Sequence, residues 1–485
     1  MKVLYKDTSK YLFTSFICTA ISFITLPVYT RYLTPVDYGI VALFLLFANV
    51  SSGLISVGIH KATYRYYFKF KDDMDTFINL HSSNVLFLFT VFLLSGIIIY
   101  HLADWFSSTL FDNKIGGTLI KWSFLSGCMQ YVFIYFTALL TAQEKPIVFG
   151  LITVLQMLLN VFFSLYLIFQ HSLTYLAKIY GTLMAQGIIM IILIIIFRNF
   201  FIFRFSLSNF KISIRFSYPQ IPGNIINLAY ESFDKVMLNK FTGLESLTHY
   251  TFGAKFAMPI KMIMDSFART WNPFFMNTAK NNNGEAKKII VSHFFEMVFF
   301  IMVLGLCIIY FSEEMLRLLT TEEYYQSIYV VPIYVLYYLI GSVGYFALPQ
   351  IMHGEKMIYT LPVSILNIVI NIILNIMLIP KFGAIGAVIA TTIAALGTGV
   401  LKFHLGQRAY TLPIDRGKFF GLFLIVTLFT LFIYPILMLN ISFIIKGIMK
   451  VVILLIFIIL GIKLNYVSGK RIRMKLIKPI VTYFH

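Results

Sequence analysis

The sequence predicts an all-α integral membrane protein of about fourteen spanning helices. Two observations carry this: long continuous apolar runs, and a charged fraction of only 12% with a mean hydropathy of +0.84. An ordinary soluble domain is about 45–50% apolar and about 25% charged; this chain of 485 residues is 59% hydrophobic, which excludes a soluble globular enzyme and a disordered chain. The runs are near twenty residues long, the length a helix needs to cross hydrocarbon. An outer-membrane barrel would instead show alternating segments of about ten residues. Cys18, Cys128 and Cys307 each lie inside an apolar run, so they suggest no disulfide scaffold, metal site or redox site.

The first ten residues, MKVLYKDTSK, are basic, and an apolar run follows from Tyr11 to about Leu33. That run is long for a signal peptide and reads as the first span. The fourteen spans fall at roughly 11–33, 38–60, 81–101, 117–140, 146–169, 178–197, 217–240, 249–275, 290–312, 326–349, 357–379, 383–405, 417–438 and 441–463. Short linkers make successive helices antiparallel and leave no room for a folded extramembrane domain. The net charge of +19 comes from 39 basic and 20 acidic residues. With the N-terminus inside, twenty-six basic residues fall in inner segments and seven in outer loops. This bias predicts both termini in the cytoplasm. It also accounts for most of the charge without a nucleic-acid partner. The basic C-terminal cluster suits contact with anionic membrane lipids.

Three echoes suggest an internal repeat. Arg31–Gly39 resembles the stretch from Lys240 to Gly253, Asn160 resembles Asn371, and Gly181 resembles Gly386. They recur at offsets of about 205–211 residues. The expectation is two six-helix halves, 1–215 and 216–408, with an appended pair and basic tail over 409–485. In repeat-built transporters the binding site lies between the halves.

Polar residues in spans mark faces turned away from lipid. Gln220, Asn224, Asn227, Glu231, Asp234 and Lys235 form one stripe in the seventh span. Lys255, Lys261, Asp265 and Arg269 lie in the eighth, and Glu296 in the ninth. Each central charge costs about 2.5–3.5 kcal/mol on insertion, so eight facing lipid would cost roughly 20–28 kcal/mol. Most must therefore face protein, water or an interface. Glu231 with Lys235, Lys261 with Asp265, and Asp265 with Arg269 have the i,i+4 spacing of intrahelical ion pairs. Lys255 and Arg31 have no acid one turn away, and are the better candidates for an anionic substrate. Asp234 and Glu231 are candidates for a coupling ion. His60, Lys61 and Arg65, at the inner end of the second span, could attract a phosphate or simply fix topology.

Further polar stripes run through Ser15, Thr19 and Ser22; Asn49, Ser52, Ser56 and His60; Ser123, Ser126 and Gln130; and Asn367, Asn371 and Asn375. Such residues glue membrane helices as readily as they bind ligands. Tyr334, Tyr337, Tyr338 and Tyr345 fit either a sugar-contacting face or an interfacial belt. Asp72-Asp73-Met74-Asp75 reads as a solvated loop rather than a metal–diphosphate motif. No Walker A, dinucleotide-binding or paired-histidine metal motif is present.

The segment Leu26-Pro27-Val28-Tyr29-Thr30-Arg31-Tyr32-Leu33-Thr34-Pro35-Val36-Asp37-Tyr38-Gly39 resembles the first-loop signature of the Wzx-type polysaccharide-biosynthesis (O-antigen) flippases. These belong to the multidrug/oligosaccharidyl-lipid/polysaccharide exporter (MOP) superfamily. Asp234-Lys235, Tyr250–Lys255, Pro273 and the turn Pro380–Ala387 fit the same resemblance. It implies two MATE-like lobes around a central cavity, with helices 13 and 14 outside. It also implies translocation of an undecaprenyl-pyrophosphate-linked oligosaccharide from the inner to the outer leaflet of a bacterial cytoplasmic (inner) membrane. Transport would proceed by alternating access, coupled to Na+ or H+, with no cofactor or metal, alongside other polysaccharide-assembly proteins. The cavity residues expected from charge and position are Arg31, Lys255, His60, Lys61, Arg65, Lys235, Lys261, Arg269, Asn224 and Asn227. Glu231, Asp234, Asp265 and Glu296 are the acids available for ion coupling. The alternatives are a multidrug or cation antiporter, a flippase for a lipid-linked peptidoglycan precursor, and a membrane polymerase or glycosyltransferase. The last commonly needs a larger extramembrane loop than this chain provides.

Overall fold

A computed structural model describes residues 2–111, 116–218, 221–280 and 283–466. Lys114, Gln220 and the basic tail beyond Tyr466 lie outside the described residues, as do the side chains of Asn227 and Glu231. Among the described residues every regular element is helical. In order they are α1 (Lys2–Tyr32), α2 (Pro35–Ser56), α3 (Ile59–Lys69), α4 (Met74–Phe111), α5 (Gly117–Ala142), α6 (Pro146–His171), α7 (Tyr175–Phe197), α8 (Leu207–Ser217) and α9 (Ile221–Thr242). Then come α10 (Leu244–Ala279), α11 (Gly284–Tyr310), α12 (Ser312–Leu319), α13 (Val331–His353), α14 (Thr360–Ala409), α15 (Arg416–Leu431), α16 (Ile433–Met438) and α17 (Phe443–Lys463).

Eleven segments among the described residues are long and apolar enough to cross a membrane. They correspond to twelve of the sequence-derived spans, because spans 11 and 12 fall within one segment, 357–409. A straight helix of 50 residues would be about 75 Å long, more than twice the ~30 Å hydrocarbon core. The backbone of α14 resolves this at Gly383, whose φ of 55° and ψ of −130° break the helix. The other two spans are α9 and α10, whose charged stripes depress their hydropathy. The sequence placed His60 at the end of the second span, but α2 stops at Ser56. Val57 (φ 44°) and Gly58 (φ 72°) are both left-handed, so His60, Lys61 and Arg65 lie on α3.

Capping explains two of the sequence motifs. Thr34 caps α2: its hydroxyl accepts from the Asp37 amide at 3.2 Å, and Asp37 Oδ2 accepts from the Thr34 amide at 2.9 Å. Pro35 takes the first helical position, where its missing N–H costs nothing. Gly39 has to be glycine, since a Cβ there would lie 2.5 Å from the Leu244 carbonyl oxygen. In the Asp72–Asp75 run, Asp73 accepts from the Thr76 amide at 3.2 Å. The Thr76 hydroxyl and amide together hold the Asp73 carboxyl below its ordinary range.

The described residues form two compact units: Met1–Thr248 with Leu319–Thr321, and His249–Leu318 with Glu322–His485. In the first, α2 packs on α5 and α6 on α7. Glycines permit the close crossings: a Cβ at Gly127 would meet the Ala48 carbonyl at 2.6 Å, and one at Gly181 the Ser164 amide at 2.7 Å. In the second unit α13 packs on α14, and α11 on α13, α15 and α17. Each unit contains the same asparagine-to-threonine bond between its paired helices. Asn160 Nδ2 donates to Thr182 Oγ1 at 2.8 Å, and Asn371 Nδ2 to Thr391 Oγ1 at 3.2 Å.

A buried ionic cluster joins α12 to α17. Lys450 Nζ is 3.2 Å from Glu313 Oε2 and 2.7 Å from Glu314 Oε1, and its side chain is fully buried. Arg317 lies 3.1 Å and Lys446 3.9 Å from Glu313. Removing one partner strands the others in a low-dielectric site. Lys450→Ala is therefore expected to cost about 3–5 kcal/mol, measured as loss of resistance to thermal or denaturant unfolding of the purified protein in detergent.

Candidate functional site

The first unit holds a cavity of about 290 Å³ lined by Ser52, Ser56, His60, Lys61, Tyr131 and Asn224, with Gly53, Ile134 and Leu228. Tyr131 organises it. Its hydroxyl donates to the Ser56 carbonyl at 3.0 Å and accepts from the His60 amide at 3.2 Å, while the His60 ring lies edge-on to it. A buried polar network adjoins it, the Tyr131 and Tyr135 ring centroids being 6.5 Å apart. Asn84 donates to Thr63 at 3.1 Å, Thr63 to Tyr135 at 3.1 Å, and Tyr135 meets His81 Nδ1 at 2.9 Å. Arg65 points elsewhere, with its guanidinium 4.7 Å from the centre of the Phe216 ring. Lys178 Nζ sits 3.8 Å from the centre of the Tyr29 ring and 3.3 Å from Asn160 Oδ1.

The second unit holds a cleft between α10, α13 and α14, in two adjoining parts of about 400 and 260 Å³. Gly341, Gly344, Tyr345 and Lys402 line both parts. Lys261, Tyr337, Tyr338 and Asn367 line the smaller, and Asn272 the larger. Helical spacing produces this, since 261, 264, 268 and 272 recur on one face of α10 and 337, 341, 344, 345 and 348 on one face of α13.

Two expected intrahelical ion pairs are absent. Asp265 makes no ion pair with Lys261 or Arg269. Its Oδ1 instead accepts from the Tyr345 hydroxyl at 2.8 Å. The Tyr345 hydroxyl reaches the carboxylate from the neighbouring helix, and Lys261 and Arg269 make no ion pair among the described residues. Lys255 is half-buried and, among the described residues, has no hydrogen-bond or ion-pair partner. Arg31 is exposed at the end of α1. Asp234 is buried on α9, with Lys235 half-buried beside it. Glu296 lines a third cavity, of about 560 Å³, with Lys288, Asp415 and Lys418. The predicted residues thus divide: His60, Lys61 and Asn224 share one cavity, Lys261 lines another and Glu296 a third.

Sequence reasoning missed Lys402 and Lys178 by counting them as loop charges. Lys402 falls inside its own predicted span, and the burial cost applied to Lys255 would have flagged it. Several polar stripes are helix glue: Gln130 donates to Asn49 at 2.8 Å, and Ser126 to Gln186 at 2.8 Å.

Long apolar helices with charged clefts inside each unit define the class, a multi-pass helical membrane protein. Solved structures with this fold include the lipid II flippase MurJ in an inward closed conformation, at 14% identity and TM-score 0.67. The match covers 93% of this chain and 98% of that one. An inward-facing multidrug resistance MATE family transporter of the MOP superfamily matches at 13% identity and TM-score 0.64, over 80% of this chain and 94% of that one. A MOP superfamily transporter from Pyrococcus furiosus matches at 14% and 0.56, over 85% and 97%. No curated protein matches. The sequence pattern of the polysaccharide biosynthesis protein family matches residues 4–279, and the chain belongs to that family.

The Asn49–Gln130 contact tests the glue assignment. A double-mutant cycle to alanine is expected to give a coupling of about 0.6 kcal/mol, and no more than about 1.7 kcal/mol, from unfolding equilibria in micelles.

Proposed function

We propose that this protein moves a lipid-linked oligosaccharide, carried on undecaprenyl pyrophosphate, from the inner to the outer leaflet of a bacterial cytoplasmic membrane by alternating access. The observation that carries the reading is Lys255, a half-buried cation on a membrane helix with no counter-charge among the described residues. Membership of a polysaccharide biosynthesis family makes an anionic, lipid-borne glycan the fitting counter-charge. The lipid tail stays in the bilayer while the diphosphate, with about two negative charges, crosses a polar path. In this reading Arg31 and Lys255 attract the diphosphate, and His60, Lys61 and Asn224 extend the polar path in the first unit. Asp234 is the buried acid best suited to respond to Na+ or H+. Both termini lie in the cytoplasm, in keeping with the basic inner loops.

The test is complementation of a flippase-null strain, with the leaflet location of a labelled lipid-linked repeat unit measured. Wild-type protein is expected to restore outer-leaflet label. Arg31→Gln combined with Lys255→Gln is expected to lower it at least about tenfold, a change of ~1.4 kcal/mol, at unchanged membrane abundance. Label that stays in the inner leaflet with the wild-type chain overturns the reading. Running the assay with a labelled peptidoglycan precursor and a cationic drug separates it from the two other transporter readings.

A further inference from the structure

The flippase reading leaves the cleft of the second unit without a role. Three tyrosines, two lysines and two asparagines line a space of about 400 Å³ and its 260 Å³ extension, within the ~300–1,000 Å³ range of small-molecule sites. Neither Lys261 nor Lys402 has a hydrogen-bond or ion-pair partner among the described residues. Asp265, one turn from Lys261 on α10, accepts from the Tyr345 hydroxyl at 2.8 Å. That bond fixes the Tyr345 ring at the junction of the two parts. Tyr337 and Tyr338 present further ring surface, with centroids 5.0 Å apart. Tyrosine offers a flat apolar face together with a polar edge. Asn272 and Asn367 each supply both donors and an acceptor.

Two glycines make the space. A Cβ at Gly341 would meet nothing within 4 Å, so this position opens on the cleft. At Gly344 a Cβ would come 3.5 Å from Lys402 Nζ, so the lysine lies across bare backbone and keeps its ammonium in the cleft. Aromatic faces, amides and two cations without an ion pair among the described residues together select a ring compound that carries hydroxyls and a negative charge.

We propose that this cleft is a saccharide subsite for a sugar ring bearing an anionic group, with Lys261 and Lys402 reading the charge and Tyr337, Tyr338 and Tyr345 the ring. The choice of a saccharide rests on the flippase reading. The charge itself could come from a sugar carboxylate or from the carrier's diphosphate, and the experiment separates these sources.

Full-length protein in lipid nanodiscs is titrated with a tetrasaccharide of alternating hexuronate and N-acetylhexosamine, and with its carboxyl-reduced counterpart. Wild-type protein is expected to bind the acidic form at least about tenfold more tightly, a difference of ~1.4 kcal/mol. Lys261→Gln and Lys402→Gln should each shrink that preference, Lys402→Arg should keep it, and Gly341→Leu should abolish binding of both forms by filling the cleft. Equal binding of the two forms, or binding of neither, overturns the subsite. Displacement of the acidic tetrasaccharide by inorganic pyrophosphate also overturns it, and assigns the lysines to the carrier. In the leaflet assay, normal movement of lipid-linked units with no carboxylate preference in nanodiscs sinks the subsite alone. Carboxylate preference with no such movement sinks the flippase reading alone.

Discussion

In hydrocarbon, a polar group has no water to fall back on, and this constraint governs the chain from its backbone to its cavities. It is met in three ways. Hydroxyls fold back onto their own helix: Thr30 on the Leu26 carbonyl at 3.1 Å, Thr137 on Phe133 at 2.7 Å, Thr398 on Ala394 at 2.8 Å. Amides and acids reach a neighbouring helix, as in Asn371–Thr391 and the Glu313–Lys450 cluster. Other groups, Lys261 and Lys402 among them, line clefts. Together with Lys255, this third class offers unspent electrostatics to a ligand.

The architecture was largely legible from the sequence because hydropathy is a one-dimensional property. Twelve spans needed nothing beyond apolar run length. The charged stripes of α9 and α10 marked those helices as unlike their neighbours. Boundaries were less legible where backbone conformation decides them. The left-handed pair Val57–Gly58 moves His60 to a new helix, and a single residue, Gly383, divides α14. Side-chain partnerships were least legible. Spacing of four residues suggested Lys261–Asp265, but Tyr345 sits 80 residues away in sequence and takes the carboxylate. Local spacing lists the neighbours along a helix and is silent about those across it.

The resemblance noticed at residues 26–39 has a structural explanation at several of its positions. Thr34, Pro35 and Asp37 start α2, and Gly39 allows close approach to Leu244. Thr248 reinforces the same corner by donating to the Pro35 carbonyl. These residues specify how the first unit is built and carry little information about cargo. In the proposed reading cargo selection falls instead to clefts whose linings come from residues scattered over three helices, which no short motif records.

The α12–α17 cluster also has a consequence for biogenesis. Lys450 lies 137 residues after Glu313. While the chain emerges from the ribosome, both acids of α12 are made before their buried partner Lys450, with Arg317, 3.1 Å from Glu313, as the cation already present on the same helix. The ionic cluster is therefore complete only once α17 is in place. A chain cut short before Phe443 would present orphaned carboxylates to the proteases that police membrane insertion.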